Sequence, residues 1–191
     1  MSIIEGGPNT AGIVARVQGI LLHPREEWVK IDGEAATVQG LFTGYAIILA
    51  AIPAVAGLIG SLVFVHVLPV ALVHAALAYG LGLLGVFVFG YVVNMLAPSF
   101  GTQPNLVQAM KLVIYGSTAT WIGGVFGIVP LIGGLGSLVG GLYSLYLLFI
   151  GTPVMMKSPA DKSTSYTIVA IVCSVVVQVV IVVVAGAALA R

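Results

Sequence analysis

Residues 131–150 read LIGGLGSLVGGLYSLYLLFI, twenty consecutive positions without a charge. A helix of that length rises about 30 Å, the thickness of a bilayer's hydrocarbon core. Four more runs of this kind lie at about residues 41–64, 68–96, 109–128 and 168–189. The run at 68–96 is long for a straight span, which implies tilt or an interfacial first turn after Pro69. The run at 109–128 is the weakest, because Lys111 stands near its start and Ser117, Thr118 and Thr120 interrupt it. Lipid offers the backbone no hydrogen bonds, so every run must be a helix. The expected fold is therefore all-α, a polytopic transmembrane bundle of five spans over residues 41–191. Short amphipathic interfacial helices are expected in the cytoplasmic segment 1–40.

Composition agrees. Of 191 residues, 60% are hydrophobic and 7% charged, against about 45–50% and about 25% for soluble domains. The mean hydropathy of +1.17 requires most of the surface to face hydrocarbon. A net charge of +1 removes the basic footprint of a nucleic-acid binder. The single cysteine, Cys173, removes disulfides and cysteine-rich metal sites.

Orientation follows from the cations, which gather on cytoplasmic flanks. With five spans, Arg16, Arg25, Lys30, Lys111, Lys157 and Lys162 share one side, and the other receives only Arg191. The loops around His66 and Pro130 contain no Lys or Arg. The amino terminus is thus expected in the cytoplasm and the carboxyl terminus outside. Tyr45, Tyr91, Tyr115, Tyr146 and Tyr166 fall near the inner ends, where amphipathic rings favour the headgroup level.

In the first 40 residues, Ile13, Val14, Val17, Ile20 and Leu21 repeat at helical spacing. Pro24 opens a second short helix, with Glu26 and Glu27 in its first turn, where the helix dipole favours anions. Trp28 and Ile31 share one face and read as interfacial, on a segment that either lies in the bilayer surface or packs under the bundle, and Lys111 is expected to snorkel to the inner interface.

Reactive groups are scarce. No carboxylate occurs between Ala35 and Ala160, and His74 and His66 lack the partners that a metal site needs. Intramembrane serines have only His74 as a base, and the run Gly133-Gly134-Leu135-Gly136 has no Lys-Ser or Lys-Thr after it. The reading is non-enzymatic, with no cofactor and no metal.

The glycines have a packing role instead. Gly136 and Gly140 form a G-x-x-x-G, extended by Gly133, Ser137 and Gly141, while Gly123, Gly124 and Gly127 stand opposite on the preceding run. Small faces let helix backbones approach, and association in lipid depends on such contacts. The connection Val129-Pro130 is short enough to make a tight antiparallel hairpin of these two runs. In the last run, Ser174 and Gln178 form a polar thread one turn apart, suited to another helix or to a cavity.

The stretch from Arg16 to Trp28, the sequence Ile128-Val-Pro-Leu-Ile-Gly133, the run from Gly141 to Pro153 and the segment Lys157-Ser-Pro-Ala-Asp-Lys162 resemble the bacterial branch of the Yip family, the Ypt/Rab-interacting type of five-span membrane protein. The resemblance covers nearly the entire chain and implies five helices with a cytoplasmic amino terminus. Eukaryotic members are linked to vesicle traffic, Rab-type GTPases and membrane shaping. Residues 12–40 lack the acidic-aromatic Asp-Leu-Tyr-Gly-Pro type of segment, which speaks against a Rab-type partner.

Two functions follow as expectations. The leading one is an integral protein of the bacterial inner membrane that works by glycine-mediated association with itself or other membrane proteins, with membrane lipids around it. The alternative is a small channel or carrier for an uncharged or lipid-like substrate. His74, Asn94, Ser117, Thr118, Thr120, Ser174 and Gln178 are its candidate polar residues; a cavity bordered by such groups would favour the alternative.

Overall fold

The computed structural model describes residues 10–64 and 68–189, and among them every element is helical. His66 and Arg191 lie outside the described residues. The chain runs through α1 (Thr10–Leu22), α2 (Pro24–Gly33) and α3 (Val38–Leu41), which passes by a π-helical turn (Phe42–Ala46) into α4 (Ile47–Phe64). Then come α5 (Leu68–Leu96), α6 (Leu106–Gly116), α7 (Thr118–Gly123), a 3₁₀ turn (Gly124–Ile128), α8 (Pro130–Met156) and α9 (Ala160–Leu189).

Four stretches are long and apolar enough to cross a membrane: Val38–Phe64, Leu68–Phe100, Pro130–Met156 and Ala160–Ile181. The run expected at 109–128 is helical but divided. Ser117 turns its hydroxyl back to the carbonyl of Val113 at 2.8 Å, a bond that bends helices. Beyond it, Gly123, Gly124 and Gly127 weaken the helix until it tightens into the 3₁₀ turn. Val129 is extended and Pro130 opens α8, where a missing N–H costs nothing.

Helix α6 is the centre of the molecule. Residues 109–116 are all buried, as expected of a helix that is enclosed on every side. Around it lie α2, α3, α5 and α8, and the largest enclosed side chains, Trp28, Tyr166, Ile20 and Ile31, gather towards the same end. Large apolar side chains elsewhere on α5, α8 and α9 remain exposed, which costs nothing where the solvent is lipid.

The enclosed end also carries the ion pairs. Arg16 bridges Glu27 and Glu34, Lys30 meets Glu27 at 3.0 Å, and Lys157 reaches Asp32. Lys157 adopts the left-handed conformation (φ 51°) that ends α8, a position more often given to glycine. The α1–α2 hairpin is thereby tied to α8 and not merely laid beside it. Tyr143 of α8 adds a bond to the carbonyl of Leu21 at 2.7 Å.

Two residues read as interfacial are instead enclosed. Trp28 has no exposed surface, because α8 offers Gly151 beneath its ring: a Cβ there would lie 2.7 Å from the indole. Lys111 is 2% exposed, and its ammonium donates to the carbonyls of Ile31, at 2.8 Å, and Glu34. A helix end leaves its last carbonyls unpaired and carries partial negative charge, so a cation is well placed there. Removing the ammonium leaves the Glu34 carbonyl without its donor and the Ile31 carbonyl with only the Glu34 N–H at 3.3 Å. Lys111→Met is expected to cost about 1–3 kcal/mol, measured as a fall in thermal stability in detergent, with faster amide exchange in α2. The tyrosines divide likewise: Tyr45, Tyr115 and Tyr166 are buried, whereas Tyr91 and Tyr146 remain about 40% exposed.

Candidate functional site

The glycines predicted to pack do so mainly between α8 and the segment before it. A Cβ on Gly123 would meet the carbonyl oxygen of Gly136 at 2.5 Å, one on Gly140 that of Ala119 at 2.5 Å, and one on Gly133 the Cα of Gly127 at 2.9 Å. These pairs run in opposite directions along the chain, so the expected antiparallel hairpin is present. Gly124 turns the other way and rests on Pro53 of α4, while Gly127 lies in ordinary contact with Gly57 and Ala56. Gly141 meets nothing within 4 Å. Most of this small-residue surface is consumed inside the chain.

On the opposite side of that hairpin, α5, α7, α8 and α9 diverge around a cavity of about 550 Å³. Its polar lining comes from Ser117, Thr120, Ser137, Ser144, Ser174 and Gln178, and its walls include Phe89, Trp121 and Leu142. Helical spacing explains the convergence. Ser137 and Ser144 are two turns apart on α8, Ser174 and Gln178 one turn apart on α9, and Ser117 and Thr120 flank the bend before α7, so each helix presents one short polar stripe.

The hydrogen bonds are unevenly distributed. Ser144 Oγ accepts from the Thr120 N–H at 3.0 Å, and the Thr120 hydroxyl lies 2.9 Å from Ser144 Oγ and 3.5 Å from the carbonyl oxygen of Gly140. Ser174 donates back to Ile171 at 2.6 Å, as Ser117 does to Val113. Ser137 and Gln178 are exposed side chains and make no hydrogen bond among the described residues. Gln178 lies against Gly85, where a Cβ would approach the amide oxygen to 3.1 Å. The absent side chain of Gly85 is what gives the amide room. No charged group lines the cavity.

Four of the candidate polar residues thus meet: Ser117, Thr120, Ser174 and Gln178. Three do not. Thr118 is buried and shares a 2.8 Å hydrogen bond with Tyr45, joining α7 to the π-helical turn before α4. His74 borders a separate space of about 150 Å³ between α4 and α5, with Pro53 and Ser61. Asn94 lies outside both cavities, its amide oxygen buried without a partner among the described residues. Ser137 and Ser144 escaped the sequence reading as lining residues; the signal was their seven-residue interval. Among the described residues no three His, Cys, Asp or Glu side chains cluster as metal ligands.

A bundle of apolar helices long enough for a bilayer, with few charges along them and ion-paired at one end, defines an integral membrane protein. The Yip1 domain family matches residues 19–184, and the chain belongs to that family. It is 28% identical over 167 residues to the inner membrane protein YohC of Escherichia coli strain K12, across 81% of this chain and 85% of that protein. The YohC of E. coli O6:H1 matches to the same extent. No solved structure matches the chain.

Proposed function

We propose that this protein is a non-enzymatic, five-span protein of the bacterial inner membrane, amino terminus inside, that takes up and passes on an uncharged, lipid-like molecule through the cavity between α5, α7, α8 and α9. The observation that carries the reading is the cavity itself: six neutral polar side chains with no ion among them. Groups of this kind are costly in hydrocarbon unless paired or used.

The third crossing is taken to be α6, α7 and the 3₁₀ turn together. At 1.5 and 2.0 Å per residue their path is about 36 Å, enough for a hydrocarbon core of about 30 Å. With that crossing, the ion-paired end collects every cation expected inside, which favours the cytoplasmic amino terminus. Gln178 then lies ten residues beyond Ile168, about 15 Å deep and close to the midplane.

Association with a second copy or another membrane protein is the competing function. Its support is narrower, because Gly123, Gly136 and Gly140 are already in contact within the chain, leaving Gly134 and Gly141 with open space.

Transbilayer movement tests the proposal. Proteoliposomes holding a short-chain fluorescent diacylglycerol are expected to equilibrate it between leaflets faster than protein-free vesicles. Gln178→Leu is expected to slow that movement about tenfold, equivalent to about 1.4 kcal/mol, while leaving thermal unfolding unchanged. Equal movement with and without protein contradicts carriage.

A further inference from the structure

We infer that the side of the α7–α8 hairpin turned away from the cavity seats one straight acyl chain of a phospholipid. Helical spacing lays out the seat. Ile132, Leu135, Val139 and Tyr143 recur at intervals of three and four on α8, and Ile122 and Phe126 stand four apart on the antiparallel segment before it, so each side contributes one ridge. Between the ridges lie Gly123, Gly136 and Gly140, where the two backbones touch and no side chain fills the valley. The result is a trough of about 440 Å³.

Its chemistry is hydrocarbon. The one hydroxyl among the lining residues, that of Tyr143, is spent on the carbonyl of Leu21 at 2.7 Å, and no lining residue is charged. A polar headgroup must therefore stay outside, because within the trough it would lose its water without gaining partners.

Length and a closed end decide between a lipid tail and the helix of another protein. From Ile132 to Tyr143 is eleven residues, about 16 Å, which matches one leaflet of a hydrocarbon core about 30 Å thick. There Leu21, held by Tyr143, closes the trough. Gly151, eleven residues beyond Gly140 and so on the same side of α8, is covered by Trp28. The α1–α2 hairpin thus occupies the continuation of this side, and a spanning helix laid in the trough would meet it halfway across. A tail anchored at the Pro130 end stops where the trough stops. The α8 helix has no internal proline before Pro153, so the trough is straight, and a chain kinked by a cis double bond fits it poorly. This site is separate from the cavity and does not depend on carriage through it.

The test is native mass spectrometry of the purified full chain in mild detergent, titrated separately with dielaidoyl and dioleoyl phosphatidylcholine, isomers that differ only in a trans or a cis double bond. One retained phospholipid per chain is expected, with the straighter trans isomer held at least fivefold better. Val139→Trp and Leu135→Trp place an indole in the trough from exposed positions, and each should lower the retained fraction about tenfold. Val172→Trp, on the exposed face of α9, and Gln178→Leu, in the cavity, should leave it unchanged. Unfolding temperatures of all variants establish that they fold.

No retained phospholipid, equal retention of the two isomers, or retention unchanged in both Val139→Trp and Leu135→Trp would each overturn the assignment. So would loss of the adduct in Gln178→Leu with the trough variants unaffected, which would move the phospholipid to the cavity. A dimer in place of the adduct, broken by Val139→Trp, would make the occupant a second copy and overturn it as well.

Discussion

Gly140→Leu is expected to yield little folded protein, and Gly140→Ala to lose about 3 kcal/mol of stability. The first added carbon would stand 2.5 Å from the carbonyl oxygen of Ala119 and 3.2 Å from the Cα of Thr120. Both are backbone atoms, so no side chain can swing aside, and α7 and α8 must separate. Overpacking in yielding surroundings costs about 1–3 kcal/mol, and the rigid contact puts alanine at the upper end. The extra carbons of leucine meet the same wall, against a total stability of about 5–15 kcal/mol. Gly136→Leu behaves alike, since its Cβ would stand 2.7 Å from the carbonyl oxygen of Gly123. Gly134→Ala and Gly141→Ala, with nothing within 4 Å, are the controls and are expected to stay within about 0.5 kcal/mol of the parent. Thermal unfolding in detergent checks the series.

Trp28→Ala should be comparably severe, losing about 3–5 kcal/mol. Its ring is wholly enclosed and lies on Gly151, so truncation leaves a void between α2 and α8. The indole N–H has no partner among the described residues. Trp28→Phe therefore sheds an unpaired donor along with some packing and should cost clearly less than alanine. Gly151→Leu should eject the indole from the other side. Combined with Trp28→Ala, it refills part of the void, and the double variant should be more stable than the two single losses predict. Limited proteolysis before α3 reports the outcome, because an α1–α2 hairpin loosened from α8 is cut sooner.

The fold was legible wherever hydrophobicity alone determines it. Leu131–Ile150 needed only its length and lack of charge, and α8 continues that run to Met156. The pairing of Gly123 with Gly136 was readable because Val129 and Pro130 leave the chain no other route. Lys111 was not readable. A lone cation near the end of an apolar run ordinarily reaches for water, and the carbonyls it finds belong to residues 77 and 80 positions earlier. Trp28 deceived for a related reason: an aromatic on a short amphipathic helix looks the same whether its face meets lipid or a glycine of another helix.

The candidate site shows the same division. Ser174 and Gln178 announced themselves as polar residues within a valine-rich run. Ser144 carries no such contrast in sequence, and only the bend at Ser117 brings Thr120 against it. Thr118, one position beyond Ser117, faces the other way and is spent on Tyr45. A rotation of about 100° per residue decides between cavity and core, and sequence alone does not fix the phase of a short helix such as α7.

The most direct test of the cavity's place in the bilayer is collisional relaxation of a nitroxide attached through Ser137→Cys, in a chain also carrying Cys173→Ser and reconstituted in phospholipid. Frequent collision with oxygen, which concentrates in lipid, and rare collision with a water-soluble nickel chelate are the predicted result. Collision with nickel equal to or above that with oxygen would mean a space continuous with water, contrary to a lipid-facing binding site.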